Sequence, residues 1–537
     1  MKIRKLRADQ NKAVKACLQT DKGQVVAPTG CGKTVIALEC IRRLAKRSSE
    51  PLVVVVFVHR ILLAKQWIIS SNDILLDQHK LIFNFVNINS GGLSTVIKKD
   101  IEGSLYDLSG AGVIPVLSST NPRDVSRRVT RLLDRGLNVL IPCTYHSADV
   151  LVAANLPIDL AIHDECQTLP GNPEFRRCLD LSADKKLFFT ATPCNTASDK
   201  GWGQNNEDVY GPVVFEMKPI EAIKIGAIVG PQIHVVGTEW EVGQTNDGEL
   251  GNRDFNTLAN LVFYSHAQHK KVVLSQSANK KKIGAKLLVV CNGQLELQGI
   301  FASRRFWQLR SDNPNLRIFG LSSDFGIYMN GRQINPPVST KTKEDFLYAL
   351  YEMGVEEDAI IFHVDMIAEG LDVPSITGMM PLRNFSSRMK FLQNVGRSTR
   401  LHPEDLLRIE NGVLKPGDWA NYIKPFCHIV LPSCVRDHSD FVVRYATILD
   451  ELRRYYNFDP SQTINVDILN PAQKGPEFDE DQLVRQIRGT LRADINEFYY
   501  TREQDNLDLQ EALMVHRFRR FVTDEEPTAM VKLMGRY

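Results

Sequence analysis

Short apolar runs recur along the first 435 residues of the chain and constrain its fold more than any other feature. The first series consists of VVA (25–27), LVVVVFV (52–58), NVLIPC (138–143), LAIHDE (160–165) and KLFFTAT (186–192). Runs of this kind, bounded by turn or charged residues, are typical of strands that are buried on both faces of a parallel sheet. Helix-like segments lie between them, and strands that alternate with helices predict a doubly wound α/β domain.

A second series predicts a second α/β domain of similar make-up. It consists of KLLVVC (286–291), RIFGL (317–321), AIIFHV (359–364), ITGMMP (376–381) and HIVLP (428–432). Beyond about residue 435 the strand runs stop, and segments such as 440–456 and 479–500 look helical. The sequence therefore predicts three parts, 1–215, 216–435 and a mainly helical region over 436–537.

Two stretches fit neither series of strands. Residues 84–115 are polar, Gly-rich and compatible with hairpin strands, and residues 322–343 have the composition of turns. Loops of this length inside compact domains are usually functional or mobile. We expect both stretches to be insertions into their domains.

Composition narrows the class of protein. The net charge is only +2, and 43% of the 537 residues are hydrophobic, which is ordinary for a soluble globular protein. The longest purely apolar run, 52–58, is far too short to span a membrane, and the basic N-terminus lacks the apolar core of a secretory signal. We expect a protein of the cytoplasm, or of the host cytoplasm if the chain is viral, with no membrane partner. The ten cysteines include no CxxC pair, which favours free thiols over a zinc site.

The segment VVAPTGCGKTVIALE (25–39) has the form of a phosphate-binding loop between a strand and a helix. Small residues let backbone N–H groups close on phosphate oxygens, while Lys33 reaches the β- and γ-phosphates and Thr34 holds Mg²⁺. The helix that follows directs its positive end at the same phosphates. The predicted nucleotide contacts are Pro28, Thr29, Gly30, Cys31, Gly32, Lys33 and Thr34.

The segment AIHDECQ (161–167) ends an apolar run with two adjacent carboxylates, Asp164 and Glu165. In phosphoryl transfer one acid holds Mg²⁺ while another group positions the attacking water. Asp164 suits the first role and Glu165 the second. Such a pair alone would more often be a solvated strand end, but downstream of a phosphate-binding loop it indicates nucleotide hydrolysis.

The order of these segments resembles that of the superfamily 2 helicases. The segments that match motifs I, II, III, V and VI of that family are APTGCGKT (27–34), DECQ (164–167), TATP (190–193), VDMIAEGLDVP (364–374) and QNVGRSTR (393–400). Residues 55–67 resemble motif Ia, 144–147 motif Ic and 6–10 the adenine-reading Q motif, and 286–300 lie where motif IV belongs. The resemblance covers about residues 1–435 and is strongest to DEAD-like helicases grouped with restriction-enzyme motor subunits and phage branched-DNA helicases.

This resemblance implies two RecA-like parallel-sheet domains in tandem, an ATP-binding motor domain over 1–215 and a helicase C-terminal motor domain over 216–435. It implies ATP and Mg²⁺ as cofactors. The implied catalytic residues are Lys33, Glu165, Arg397 and Arg400, the Mg²⁺ ligands are Thr34 and Asp164, and further ATP contacts are Gln10, Gly370, Asp372 and Gln393. Coupling of hydrolysis to movement falls to Gln167, Thr190, Ala191 and Thr192.

Two details qualify these assignments. The arginines would neutralise charge on the transferring phosphate only when the two domains close. Gln167 stands where the family usually has Asp or His, and although its amide can both donate and accept hydrogen bonds, it leaves the DEAD-box or DEAH-box subclass open.

The implied function is an ATP-dependent helicase or translocase that acts on duplex or branched DNA in recombination, repair or replication. Arg60, Gln66, Thr144 and His146 align with family segments that contact nucleic-acid phosphates, and such contacts position a strand without reading its sequence. Residues 84–115 are either a strand-separating element or a plain spacer. The alternatives are an RNA helicase, or a motor subunit that works with the other proteins of a restriction or defence complex.

Overall fold

The computed structural model describes most of the chain up to residue 434 and a few positions beyond it. The described residues are 5–88, 117–196, 200–238, 255–322, 326–329, 331–335, isolated positions within 338–350, 352–364, 373, 375–382, 388–434, isolated positions within 448–456, and 464–468. The chain divides into two compact units, Met1–Lys218 and Pro219–Tyr537. The three-part division predicted from the sequence, with its helical third part, stays a prediction.

The described residues of the first unit form one eight-stranded sheet. Its strands are β1 (Lys22–Val26), β2 (Val53–Val58), β3 (Asn84–Asn87), β4 (Leu117–Ser118), β5 (Val139–Thr144), β6 (Leu160–Asp164), β7 (Lys185–Thr190) and β8 (Val213–Glu216). Their order across the sheet is β4-β3-β5-β2-β6-β7-β1-β8, and the paired strands run parallel. The carboxyl ends of β6, β7 and β1 therefore meet side by side, although these strands are distant in sequence.

The helices of the first unit cover both faces of this sheet, as a parallel sheet requires. They are α1 (Ala8–Gln19), α2 (Lys33–Arg47), α3 (Ile61–Ser71), α4 (Pro122–Leu133), α5 (Ala148–Ala154), α6 (Pro173–Arg176) and α7 (Glu207–Tyr210). Every side chain of β2 is buried, and Val53, Val55 and Phe57 pack in one cluster with Val125 and Val129 of α4. This double-sided burial explains why the strand reads as a continuous apolar run.

The described residues of the second unit form a nine-stranded sheet. Its strands are β9 (Gly230–Thr238), β10 (Lys286–Val290), β11 (Arg317–Ser322), β12 (Gly326–Met329), β13 (Arg332–Ile334), β14 (Ala359–His363), β15 (Gly378–Pro381), β16 (Phe426–Cys434) and β17 (Ile464–Ile468). Their order is β13-β12-β11-β14-β10-β15-β16-β9-β17, with β12 antiparallel to both neighbours and the other pairs parallel.

The helices of the second unit are α8 (Pro219–Lys224), α9 (Phe255–Gln276), α10 (Gln294–Ala302), α11 (Arg304–Asp312), α12 (Arg388–Ser398) and α13 (Pro403–Glu410). Helix α12 carries most of the predicted motif VI and packs against β15 and β16. The prediction of two α/β domains with RecA-like parallel sheets is confirmed, and each predicted apolar run overlaps an observed strand.

Seven strands lie outside the apolar runs that the sequence analysis named, namely β3, β4, β8, β9, β12, β13 and β17. Strand β3 belongs to the first sheet, so the predicted insertion at 84–115 does not begin at residue 84. Strands β12 and β13 extend the edge of the second sheet, and the predicted insertion at 322–343 is therefore partly sheet. Strand β17 pairs with β9 and lies between 440–456 and 479–500, the two segments that the sequence predicted to be helical. Except for β9, these strands are short or lie at the edge of a sheet, where no continuous apolar run is needed.

Residues 89–116, which include the rest of the first predicted insertion, and nearly all of 436–537 lie outside the described residues. Among the helices that the structure describes, none is long and apolar enough to cross a membrane.

Candidate nucleotide and catalytic site

The phosphate-binding loop joins the end of β1 to the start of α2, as its sequence predicted. Gly30 and Gly32 have φ angles of 92° and 85°, a left-handed conformation that glycine adopts without steric cost. A Cβ atom at Gly32 would also lie 2.5 Å from Nε2 of Gln10. The conformation therefore favours glycine at Gly32, and a larger residue would also displace the side chain of Gln10.

The lysine of the loop is buried and is bonded to the loop itself. Lys33 begins α2, and its Nζ donates to the carbonyl oxygen of Ala27 at 3.0 Å. Thr34 lies next to it in the first turn of the helix and is partly exposed. The two side chains that were predicted to meet phosphate and Mg²⁺ thus stand together at the positive end of α2.

Gln10, the predicted adenine contact, is buried against the same loop. Its Nε2 donates to the carbonyl oxygen of Cys31 at 3.2 Å, and its Oε1 accepts from the backbone N–H of Arg7 at 3.1 Å. The guanidinium of Arg7 donates to the same Cys31 oxygen at 2.8 Å. The start of α1 therefore supports the loop backbone, and the adenine contact of Gln10 stays a prediction.

The carboxylate pair stands at the carboxyl end of β6, one strand away from β7 and two from β1. Asp164 is buried, and its Oδ2 accepts from the indole Nε1 of Trp67 at 2.9 Å. The backbone N–H of Glu165 donates to its Oδ1 at 3.1 Å. Burial and the neighbouring charge of Glu165 raise the pKa of Asp164 to about 6, while the Trp67 hydrogen bond and the charges of Lys33 and His59 act to lower it.

Two aromatic residues that the sequence did not single out hold Asp164. Trp67 lies on α3 within the predicted motif Ia, and Tyr145 follows β5 within the predicted motif Ic. The hydroxyl of Tyr145 donates to the carbonyl oxygen of Asp164 at 2.9 Å. Both residues lay in recognised segments, but only the fold reveals which of their atoms reach the acid.

A chain of hydrogen bonds runs from Glu165 to the TATP segment. The amide Nε2 of Gln167 donates to Oε2 of Glu165 at 2.7 Å, and its Oε1 accepts from the hydroxyl of Thr190 at 2.7 Å. The Thr190 hydroxyl in turn accepts from the backbone N–H of Thr192 at 3.0 Å. Backbone N–H of Ala27 donates to the carbonyl oxygen of Thr190 at 3.0 Å. Gln167, Thr190 and Thr192 are thus continuous with both the acid pair and the phosphate loop, with Ala191 between the two threonines.

The predicted nucleic-acid contacts differ in accessibility. The side chain of His146 is 60% exposed, with its Nδ1 3.4 Å from a carboxylate oxygen of Glu174. Thr144 is buried, and its hydroxyl donates to the hydroxyl of Ser147 at 3.0 Å. Arg60 and Gln66 are partly exposed near and on α3. His146 is therefore the most accessible of the four predicted contacts.

The remaining predicted residues belong to the second unit. Gln393 and Arg397 lie on α12, and Arg400 follows its end; Arg397 is buried, whereas Gln393 and Arg400 are partly exposed. The backbone N–H of Val229, just before β9, donates to the carbonyl oxygen of Thr399 at 2.8 Å. Gly370 and Asp372, the predicted contacts of motif V, lie outside the described residues.

Comparison with known proteins agrees with this arrangement. The sequence model of the ResIII family, described as the type III restriction enzyme res subunit, matches residues 3–195. The DNA 3'-5' translocase XPB2 of Sulfurisphaera tokodaii is 23% identical over 414 residues, which cover 75% of this chain and 81% of the relative.

Two solved structures share the fold. The ATP-dependent type ISP restriction-modification enzyme LlaBIII bound to DNA matches with a TM-score of 0.59 and 16% identity, over 97% of this chain and 36% of that chain. A nuclease-deletion mutant of the type ISP enzyme LlaGI with a DNA substrate mimic matches with a TM-score of 0.52 and 16% identity, over 92% of this chain and 32% of that one. This chain spans about a third of the length of these two enzymes.

The order of the motifs along the chain, the convergence of three of them at one sheet edge and the matches to known proteins lead to one conclusion. Residues 3–195 match the ResIII family, the chain has the fold of two RecA-like domains, and as a whole it is similar to the superfamily 2 helicases.

Proposed function

We propose that this protein is a DNA motor that couples ATP hydrolysis in its first unit to movement along, or remodelling of, duplex or branched DNA. The hydrogen-bonded path from Glu165 through Gln167 to Thr190 carries this proposal. It joins Glu165, the group that would activate water, to the backbone beside the phosphate loop. A change at the γ-phosphate can therefore be transmitted through the carboxyl ends of β6 and β7.

The donor set formed by the end of β6 and the start of α2 fits a magnesium ion. A carboxylate oxygen of Asp164 and the hydroxyl of Thr34 are the hard oxygen ligands that Mg²⁺ takes together with substrate phosphates. The pKa of Asp164 is raised because its charge is buried beside Glu165, and a bound dication would offset both effects. When bound, Mg²⁺ supplies positive charge to the β- and γ-phosphate oxygens.

The other predicted site residues, from both units, each have a role in the proposed hydrolysis. Lys33 would exchange its bond to the Ala27 carbonyl for the phosphate oxygens. Glu165 would take the proton of the attacking water, with its second oxygen held by Gln167. Gln10, Gly370, Asp372 and Gln393 complete the proposed contacts to ATP. Arg397 and Arg400 would supply positive charge to the transferring phosphate when the two units close on ATP.

The proposal of DNA as the track rests on the relatives. XPB2 is named as a DNA translocase, and LlaBIII was solved bound to DNA. A motor core grips a strand mainly through its phosphates, and such contacts do not by themselves distinguish DNA from RNA. The proposed contacts in the first unit are Arg60, Gln66, Thr144 and His146, with His146 the most accessible.

A second candidate function is the motor of a restriction or defence complex. The description of the ResIII family and the fold shared with type ISP enzymes favour it. In this case the protein would act together with a nuclease subunit, and that subunit should co-purify with it. We also propose recombination, repair or replication as processes in which the DNA motor could act.

One experiment tests the track directly. ATP hydrolysis is measured with single-stranded DNA, duplex DNA, four-way DNA and RNA, each at two salt concentrations. We expect duplex or four-way DNA to stimulate most, and the stimulation to fall steeply with salt because neutralised phosphates release counterions. If RNA stimulates more than every form of DNA, the assignment to DNA is wrong.

A further inference from the structure

A buried lysine of the second unit is bonded to the end of the motif VI helix. Lys424 lies just before β16 and is 1% exposed. Its ammonium donates to the carbonyl oxygens of Ser398 and Arg400, both at 2.6 Å. Ser398 is the last residue of α12. Lys424 therefore closes the carboxyl end of the helix that carries Arg397.

This contact has a clear physical effect on the helix end. The last carbonyl groups of a helix have no partner within it, and they form the negative end of the helix dipole. A buried ammonium satisfies two carbonyls with charge-assisted hydrogen bonds, which are roughly twice as strong as neutral ones. The backbone of Arg400 is thus held directly, and that of Arg397 through the adjoining Ser398.

The lysine is itself rigidly supported. Asp405, which is fully buried on α13, accepts from the backbone N–H of Lys424 at 2.9 Å and from that of Ile423 at 3.0 Å. Arg408 lies 3.5 Å from the same carboxylate. The support for the helix end thus extends from α12 through Lys424 to α13.

We propose that Lys424 is a positioning residue for motif VI, whose charged ammonium fixes residues 398–400 so that Arg397 and Arg400 meet the transferring phosphate in one arrangement. The inference rests on the proposed roles of Arg397 and Arg400 in ATP hydrolysis. It adds a positioning residue that lies outside the recognised motifs.

The charge of Lys424 is sensitive to pH. Burial lowers the pKa of Lys424 to about 7, assisted by the charges of Arg400 and Lys286 and opposed by those of Cys427 and Asp405. The groups that interact with it electrostatically come from every side: Arg400 after α12, His402 and Asp405 at α13, Cys427 and His428 on β16, His269 on α9 and Lys286 on β10.

Deprotonation of Lys424 should have opposite effects on the positioning of motif VI and on the stability of the folded chain. As the pH rises through about 7, the ammonium loses its charge and its bonds to the helix end weaken, so kcat should fall. Stability should rise over the same range, because the unfolded chain, with the ordinary pKa of 10.5, binds more protons than the folded one. A purely structural lysine would move kcat and thermal stability together.

A second buried lysine provides the matched control. The ammonium of Lys286, on β10, donates to the carbonyl oxygens of Gly354 at 2.7 Å and Val355 at 3.0 Å. Burial lowers its pKa to about 8. Lys286→Met therefore removes a buried ammonium of the same kind that makes no contact with motif VI in the described structure.

The experiment measures kcat and KM for ATP of the full chain with saturating duplex DNA, from pH 6 to 9, together with the melting temperature. We expect Lys424→Met to lower kcat by about 10- to 100-fold without raising KM, since misplacement by about 1 Å costs on this order. Lys286→Met should keep its kcat at pH 6, where Lys424 is charged in both proteins, and should keep it to higher pH because the charge of Lys286 helps to lower the pKa of Lys424. Lys424→Arg stays charged, so its kcat relative to the unmodified chain should increase with pH. Equal kcat values for Lys424→Met and Lys286→Met, or a flat ratio for Lys424→Arg, would overturn the proposal.

A measurement on the unmodified chain covers the case in which the variants do not fold. Hydrogen exchange of the Thr399 amide, which donates to the Val395 carbonyl oxygen at 3.1 Å, reports on the helix end. Its protection should fall about fivefold between pH 6 and 8, as a charged hydrogen bond becomes a neutral one. The amide of Ala27 in the first unit serves as the reference. Unchanged protection at Thr399 would contradict the role of Lys424.

The outcome separates this inference from the proposed function. If Arg397→Ala and Arg400→Ala keep normal turnover, the proposed role of motif VI fails and Lys424 has nothing to position. If both lose turnover while Lys424→Met does not, only the role of Lys424 fails.

Discussion

The amide of Gln167 holds Oε2 of Glu165 at 2.7 Å and so fixes the orientation of the proposed catalytic base. The same amide accepts from Thr190 through its oxygen, which means that both of its hydrogen-bonding ends are used. The residue that departs from the usual family pattern therefore makes the connection expected of that position, by means of an amide rather than a carboxylate or an imidazole.

Gln167→Leu should leave ATP binding intact and lower turnover. Leucine has a similar size but neither donor nor acceptor, so Glu165 and Thr190 lose their common partner. We expect kcat to fall by about 10- to 100-fold, the order of magnitude for a slightly misplaced catalytic group. Gln167→His is the control, because imidazole keeps one donor and one acceptor. Steady-state ATPase and nucleotide binding are measured for both variants, and a Leu variant as active as the His variant would refute the orienting role.

Glu165→Gln should bind ATP but hydrolyse it about 10²–10⁴-fold more slowly, because an amide cannot take a proton from water. The left-handed backbone at Glu165, with a φ of 52°, is unchanged by this substitution, so the fold should be retained. Single-turnover hydrolysis and equilibrium binding of ATP test the two halves of the prediction. Near-normal turnover would exclude Glu165 as the base.

Asp164→Asn should abolish Mg²⁺-dependent hydrolysis while raising thermal stability in Mg²⁺-free buffer at pH 8. Burial beside Glu165 raises the pKa of Asp164 to about 6, above its ordinary value of 3.8, so ionised Asp164 destabilises the fold relative to the neutral form. That cost develops as the pH rises from 3.8 through about 6, and the stability gain of the Asn variant should shrink as the pH falls through the same range. Melting temperatures of the unmodified chain and of Asp164→Asn from pH 5 to 8 test this prediction. A stability gain of the variant that does not depend on pH would contradict it.

Arg397→Ala and Arg400→Ala should each reduce the nucleic-acid-stimulated ATPase strongly, since arginine fingers contribute about 10³–10⁵ in rate in other NTPases. Both residues lie in the second unit, so ATP binding to the first unit and its fold should be unaffected. The measurement is kcat with saturating duplex DNA, accompanied by ATP affinity. Normal hydrolysis in both variants would rule out action of motif VI on the phosphate.

The sequence predicted the alternating strands and helices well because buried parallel strands must be apolar on both faces. A run such as 52–58 can hardly form anything but a strand that is buried on both faces. The apolar runs read from the sequence did not include β3, β4, β8, β9, β12, β13 and β17, most of which are short or edge strands that require no such run. The sequence also did not single out Trp67 and Lys424, because their importance depends on partners that are distant in the chain.

The local sequence by itself determined the phosphate-binding loop, since Gly30 and Gly32 must adopt left-handed conformations and Lys33 and Thr34 must follow them at the start of a helix. The surroundings of that loop depend on how distant segments pack. The strand order places β6 and β7 beside β1 and so brings Asp164 and Thr190 to the predicted phosphate-binding loop. The burial that raises the pKa of Asp164, and the pairing of Lys424 with the end of α12, likewise arise from packing between segments far apart in sequence. Local pattern fixes backbone conformation through steric constraint, whereas charge, burial and hydrogen-bond partners follow from how distant segments pack.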